Sequence, residues 1–408
     1  MDNKLMNKNN YSNLQKVVSL SSDDWELGLR YGVLDIVADE GQNGSFVDEN
    51  GHDFYHMVSC SYLNLDRHPK VIMGIKTALD RYPQTNITCS RTRLISKILY
   101  DTEEELNEYF KAQVIVGSSC SAMSEGVLPL LASGVLTNNI KPKIIFDKLC
   151  HFSMNIIKPI CADETNIVTC DHNDISFIEN ECKHNPVVVY VCDGAYSTGG
   201  VAKVKELLDL QNRYNLYVYY DDSHSLSVCG QDGYGYVREI HSEINDKTII
   251  VFSMAKAFGA GAGGIAMLSK NSQMYKYIKR YAGPLLWSRP VSTATIGAIQ
   301  GSLVVHKSNE FKVIQKRLKD NIAYFDSQIY TSQSGSEVPI RFVTLGESLL
   351  ALEAAKTIYQ KGFYVSPLFF PIVARGKAGL RMMINNRIPQ EKFLEFCNVV
   401  KGVINAIS

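Results

Sequence analysis

Short β-rich runs separated by longer helical patterns fill the middle of this chain, and that alternation limits its fold more than anything else in it. Runs rich in Val, Ile, Tyr and Phe stand at 114–116, 143–146, 187–191, 216–220, 248–253 and 264–268, with helical patterns at 121–133, 204–214 and 273–281. Neighbouring parallel strands need a crossover connection, and a helix is the usual one, so this order predicts an α/β fold built on a largely parallel sheet. From 292 a long helical pattern runs to 324. An alternating segment at 340–345, a helix at 349–361, a run at 363–373 and a last helix at 389–407 follow it, which predicts a smaller α+β domain. The expected division is an arm at 1–50, a large domain at 51–290 and a small domain at 291–408.

A chain of 408 residues buries a large core and divides into about two domains. Lys and Arg number 42 and Asp and Glu number 42, so no net field draws it to nucleic acid or to an anionic membrane. Ten cysteines, scattered from Cys60 to Cys397 with no Cys-x-x-Cys pair, read as reduced, mostly buried thiols rather than as a disulfide framework or metal ligands. No apolar run reaches membrane-spanning length and residues 1–10 are polar; the expectation is a cytoplasmic protein with a short disordered head.

Two segments carry the chemistry. Tyr220-Asp221-Asp222-Ser223-His224-Ser225 follows one apolar run, and Ser253-Met254-Ala255-Lys256-Ala257-Phe258-Gly259 joins another to a glycine-rich loop. Asp221 is expected at the carboxyl end of its strand, where open α/β sheets place ligand groups. A carboxylate buried there is costly unless it faces a positive charge; taken alone, it reads as a helix cap. His224 alone reads as a structural histidine, and Asp222 is the neighbouring candidate for the role of Asp221. Lys256 has an apolar approach and a tight glycine turn, the setting of an imine-forming lysine. Together these residues make the set that a pyridoxal phosphate enzyme needs. The lysine forms the Schiff base, the carboxylate keeps the pyridine nitrogen protonated, and the imidazole contacts the ring oxygen.

A phosphate needs its own cradle, and Val116-Gly117-Ser118-Ser119-Cys120-Ser121-Ala122 offers a strand, a small-residue turn and a helix start, with Ser118, Ser119 and Cys120 as the binding candidates. The same pattern is also a common helix cap. Ser253 is placed to offer its hydroxyl to the same phosphate. His151, after the 143–146 run, is a candidate for stacking on the pyridine ring.

On these residues the chain resembles the α-oxoamine synthase family of fold-type I pyridoxal phosphate enzymes over about 57–388. Asp221-Asp222-Ser223-His224-Ser225 with Gly230-Gln231-Asp232-Gly233-Tyr234-Gly235 is similar to the family's Asp-Glu-Ala-His-Ser…Gly…Gly-x-Gly signature, and the Lys256 segment to its Schiff-base motif. Ser61-Tyr62-Leu63-Asn64-Leu65-Asp66-Arg67-His68-Pro69 resembles its Asn-Tyr-Leu-Gly-Leu-x-x-His-Pro element.

The resemblance implies a large domain with a mostly parallel seven-stranded sheet and a smaller C-terminal domain. It also implies decarboxylative condensation of an amino acid with an acyl-CoA to an α-amino ketone, the alternative being an aminotransferase or carbon–carbon lyase on the same site. It assigns ring stacking to His151, a place near the cofactor to Ser197, the substrate carboxylate to Arg381, and the phosphate of a partner subunit to Ser288, hence a homodimer with shared active sites. Ser61, at the family's asparagine, is the further substrate-binding candidate. Thr88-Cys89-Ser90-Arg91 stands for a Gly-Ser-Arg segment, Gly199 for an aspartate and Arg387 for a histidine. These departures fall at substrate positions, so the resemblance gives the cofactor chemistry and leaves the substrates open.

Overall fold

The computed structural model of the chain describes residues 14–407; the polar head expected to be disordered lies outside the described residues. Seven strands form the central sheet in the order Gln113–Gly117, Gly264–Leu268, Thr248–Ser253, Leu216–Asp221, Val188–Asp193, Lys143–Asp147 and Ile167–Cys170. Gly264–Leu268 runs antiparallel to both its neighbours, and the other pairings are parallel. This is the α/β, mostly parallel sheet that the alternation predicts.

Strand period places successive side chains on opposite faces. Val188, Tyr190 and Cys192, with Val218 and Tyr220, enter one buried cluster, while Val189, Val191, Tyr217 and Tyr219 enter the other. Both faces are covered, which is why these strands read as continuous apolar runs rather than as alternating ones. A third cluster joins Val33, Met57, Tyr62 and Leu65 to Phe311, Phe325, Leu380 and Phe396. It lies around a three-stranded antiparallel sheet of Ile340–Gly346, Ala378–Met383 and Ser366–Leu368. All ten cysteines are free, eight of them buried.

The helical pattern from 292 to 324 is two helices, Thr293–His306 and Asn309–Gln328. Ser308 between them is extended, and its hydroxyl donates to the Val305 carbonyl at 2.7 Å, satisfying a carbonyl that the first helix leaves open. The strand Ile167–Cys170 is absent from the sequence expectation: it is only four residues long, and its middle, Val168 and Thr169, is partly exposed. The run at 363–373 breaks into Phe363–Tyr364, which pairs with Asp53–His56, and Ser366–Leu368.

One buried ion pair fixes the loop that leads toward the site. The Arg91 guanidinium donates to both Glu103 oxygens at 2.8 and 2.7 Å and to the Val116 carbonyl at 2.9 Å, and Glu103 also accepts from the Val116 N–H at 2.9 Å. Both side chains are 2 % exposed. Replacing Arg91 with Met strands a buried carboxylate and is expected to cost about 3–5 kcal/mol in urea unfolding, most of which the double variant Arg91→Met/Glu103→Leu recovers.

Candidate active site

The parallel strands present their carboxyl ends on one edge of the sheet, and Gly264–Leu268, running the other way, starts there. Gly264 pairs with both Ser253 and Gly117, and Asp193 with Asp221. Asp221, Ser253, Gly117, Asp147 and Asp193 each end a strand on this edge. The loops beyond these ends carry Lys256, His224, Ser118, Ser119 and His151.

Lys256 sits in a loop closed on itself: Gly259 N–H donates to the Lys256 carbonyl at 3.0 Å and Ala260 N–H to that of Met254 at 2.9 Å. Gly259 has φ +82°, and a Cβ there would stand 2.5 Å from that of Leu65, so the turn needs glycine both for its backbone and for its contact with the 61–66 segment. The Lys256 Nζ lies 2.9 Å from His224 Nε2, and His224 Nδ1 lies 2.6 Å from the Tyr62 hydroxyl. Burial, reinforced by the charges of Lys256, Arg381 and His151, holds the His224 imidazole well below its usual pKa, so the ring is neutral.

Asp221 is buried, and its Oδ1 accepts from the Ser223 N–H at 3.1 Å and hydroxyl at 2.5 Å. Its Oδ2 faces the Cys120 thiol, a weak donor, at 3.4 Å. Burial first, and Asp221 next, push the Cys120 thiol well up, so it stays protonated. Asp222 points elsewhere, its Oδ2 accepting from the Val237 N–H at 2.9 Å.

Burial pushes the Asp222 carboxyl up to about 7 from 3.8, against hydrogen bonds from Ser225 and Val237. The folded chain thus keeps a proton that the unfolded chain has lost, and the associated stability is full below pH 3.8 and lost as pH rises through about 7. Asp222→Asn is therefore expected to gain on the natural chain by on the order of 2–4 kcal/mol between acid and neutral pH, read as unfolding midpoints across that range.

The helix Cys120–Ala132 opens on a cleft of about 510 Å³ lined by Ser118, Ser119, Ala122, Trp287 and Ser288 among others. Ser119 caps the helix, its hydroxyl accepting from the Ala122 N–H at 3.1 Å. Gly264 lets a neighbouring strand press against this turn: a Cβ would lie 2.4 Å from the Cys120 nitrogen. The Ser288 hydroxyl, assigned by resemblance to a partner's phosphate, donates to the Pro284 carbonyl and lines this chain's own cleft. Ser253 caps its turn, accepting from the Ala255 N–H at 3.3 Å.

His151 is held by its backbone N–H, which donates to Asp193 Oδ1 at 2.8 Å, while its ring is exposed. Desolvation by the surrounding protein lowers its pKa; Asp221 opposes this, and Lys256 and Arg381 add to it. Arg381, on Ala378–Met383, donates to the Ser197 carbonyl at 3.2 Å, and its Nε is buried without a partner. Ser197 thereby enters through its backbone. The hydroxyl of Ser61 is committed to Asp66 at 2.5 Å, and the other oxygen of Asp66 faces Arg387 at 3.7 Å. Two of the departures from the family pattern thus meet at one carboxylate, away from the Lys256 amine's own hydrogen bonds.

The aminotransferase class I and II family model matches residues 62–400. The chain belongs to that family. It is 26% identical over 364 residues to the 8-amino-7-oxononanoate synthase of Petrotoga mobilis, covering 85% of this chain and 87% of that one. It is 27% identical over 360 residues to the enzyme of the same name from Thermosipho melanesiensis, with the same coverage. Among solved structures, Sphingomonas wittichii serine palmitoyltransferase matches at a TM-score of 0.81 with 19% identity over 97% of this chain and 99% of that one. An 8-amino-7-oxononanoate synthase from Francisella tularensis matches at 0.69, with 19% identity over 86% and 98%.

Pyridoxal phosphate is the cofactor of this class I and II fold, and the residues present fit it. Asp221 Oδ2 keeps acceptor capacity for a pyridinium N–H, the exposed His151 ring leaves a face for a planar group, and a helix start opens on a cleft with ample room for a phosphate. Tyr62 and Ser223 were not singled out from sequence. Both lie inside quoted motifs, but only the fold shows that their hydroxyls hold His224 and Asp221. Among the described residues no helix is long and apolar enough to cross a membrane, and no group of His, Cys, Asp and Glu gathers to hold a metal ion.

Proposed function

We propose that the chain condenses an amino acid with an acyl-CoA, with loss of carbon dioxide, to give an α-amino ketone. The observation that carries this reading is the Lys256 amine held by His224 on the strand edge that also carries Asp221. Relatives named 8-amino-7-oxononanoate synthase, aligned over most of the chain, support it. Pyridoxal phosphate, when bound, supplies an electron sink for negative charge at the amino acid's α-carbon.

Asp221 would hold the ring nitrogen of that group, Ser118 and Ser119 with the helix start would hold its phosphate, and His151 would cover its face. Arg381, whose buried Nε has no protein partner, grips the amino acid's carboxylate by a charge-assisted pair. The Lys256 amine then takes the α-proton, and neutral His224 keeps the amine aimed by accepting from it. Carbon dioxide and free coenzyme A leave, and a carbon–carbon bond joins the acyl carbonyl carbon to the α-carbon. We place the enzyme in the cytoplasm as a homodimer, with Ser288 reaching the neighbouring site.

Mixing amino acids and acyl-CoA with the purified protein tests this directly. Thiol release that requires both substrates supports condensation. Keto-acid formation without any acyl donor would make the chain a transaminase instead.

A further inference from the structure

We propose that Ser223 is a positioning residue that clamps Asp221 and so favours a proton on the ring nitrogen that Asp221 faces. One hydroxyl joins two strand ends: it donates to Asp221 Oδ1 at 2.5 Å and accepts from the Ser253 N–H at 2.7 Å, while the Ser223 N–H donates to the same Oδ1 at 3.1 Å. Ser223 and Asp221 are both buried, so bulk water is no substitute for either bond.

The backbone explains why the bridge forms. Asp221 lies opposite Val251 in a parallel pairing, and the Asp222 N–H donates to the Val251 carbonyl at 2.9 Å. Two residues further along each strand the register sets Ser223 opposite Ser253, but there the first strand has already turned out of the sheet. The Ser253 N–H therefore meets a side-chain oxygen where a strand would offer a carbonyl. Ser253 ends its own strand and leads into the turn that carries Lys256, so the carboxylate and the segment bearing the amine share one anchor. Where the family signature Asp-Glu-Ala-His-Ser has alanine, this chain has Ser223, so the bridge is an addition of this sequence to the shared pattern.

The bridge leaves the cofactor's place free. Both Ser223 bonds fall on Oδ1, whereas Oδ2 is the oxygen open to a ring N–H, so neither has to break when that group enters. A buried carboxylate and a ring N–H can stand as an ion pair or, with the proton moved across, as two neutral groups. Hydrogen bonds donated to the carboxylate favour its charged form and so keep the proton on nitrogen. The titratable groups that face Asp221 are Cys120 from the helix Cys120–Ala132, Asp193 from the adjoining strand, His151 from the loop after Asp147, and Tyr219 and Asp222 from its own segment. The Lys256 amine is carried on the same strand edge. Of these, and among the described residues, Cys120 alone lies within hydrogen-bond reach, and it meets Oδ2.

The inference deepens the proposed function and rests on Asp221 facing the ring nitrogen. Nitrogen-15 NMR of the full-length protein loaded with ring-labelled pyridoxal phosphate tests it, because the ring signal reports protonation separately from turnover. In Ser223→Ala the nitrogen should lose its proton about one pH unit lower than in the natural chain, and the stripped protein should rebind the cofactor about tenfold more weakly. Thr248→Val removes a buried hydroxyl that accepts from Gln211 at 3.2 Å at the other end of the Ser253 strand, and it should leave both readings at natural values. Ser223→Cys keeps a weaker donor at similar size; it should fall between the natural chain and Ser223→Ala, and it reads the same quantities if the alanine variant does not fold. A ring-nitrogen titration in Ser223→Ala that superimposes on the natural one overturns the inference, as does an equal displacement in Thr248→Val. Asp221→Asn separates the two levels. If it leaves the ring signal unmoved, the placing of Asp221 fails and the inference with it; a shift there with none in Ser223→Ala overturns the inference alone.

Discussion

Lys256→Ala will lower kcat by on the order of 10⁴-fold and abolish the absorbance of the imine between the protein and pyridoxal phosphate. The effect is large because one amine does two tasks, holding the cofactor covalently and moving the α-proton. Its place is set by the 2.9 Å contact with His224 and by a loop that Gly259 folds tightly against Leu65. Lys256→Arg is the informative partner variant. It keeps a positive charge beside His224, but a guanidinium does not give up its proton in a protein, so it should be as slow as the alanine variant. A Lys256→Ala enzyme that kept a tenth of the natural rate would remove the residue from the mechanism.

Asp221→Asn is expected to cost about 10²–10³ in kcat with little loss of fold stability. The amide preserves the oxygen that accepts from Ser223, so the Ser223 turn should survive. What disappears is the negative charge on the oxygen that faces the weak Cys120 donor, and with it the force that keeps a ring nitrogen protonated. A split result is therefore informative: unfolding midpoints near the natural value together with a large fall in kcat. Equal falls in stability and rate would instead make Asp221 a structural cap.

Much of this was legible in the sequence for identifiable reasons. The strands ending at Asp221 and Ser253 are buried on both faces, so their composition announces them, and a ligand edge follows from parallel topology alone. Ile167–Cys170 was not legible, because a four-residue edge strand with a partly exposed middle gives too short a pattern. Nor was the role of Tyr62, which depends on a contact across 162 positions of the chain that no local pattern encodes. The bond from the Ser61 hydroxyl to Asp66 is likewise a contact that motif position alone does not announce.

The residues around Lys256 come from two cores, and that has a consequence for how the protein tolerates movement. Asp221, Lys256, Ser118 and Ser119 are all borne by the seven-stranded sheet and its adjoining turns, whereas Arg381 rides on the three-stranded sheet and Tyr62 belongs to the core around it. In the function proposed above, retention of the prosthetic group falls to one core and alignment of the incoming amino acid to the other. A slide of one sheet past the other would be resisted at two points, where Arg381 donates to the Ser197 carbonyl and Tyr62 meets His224.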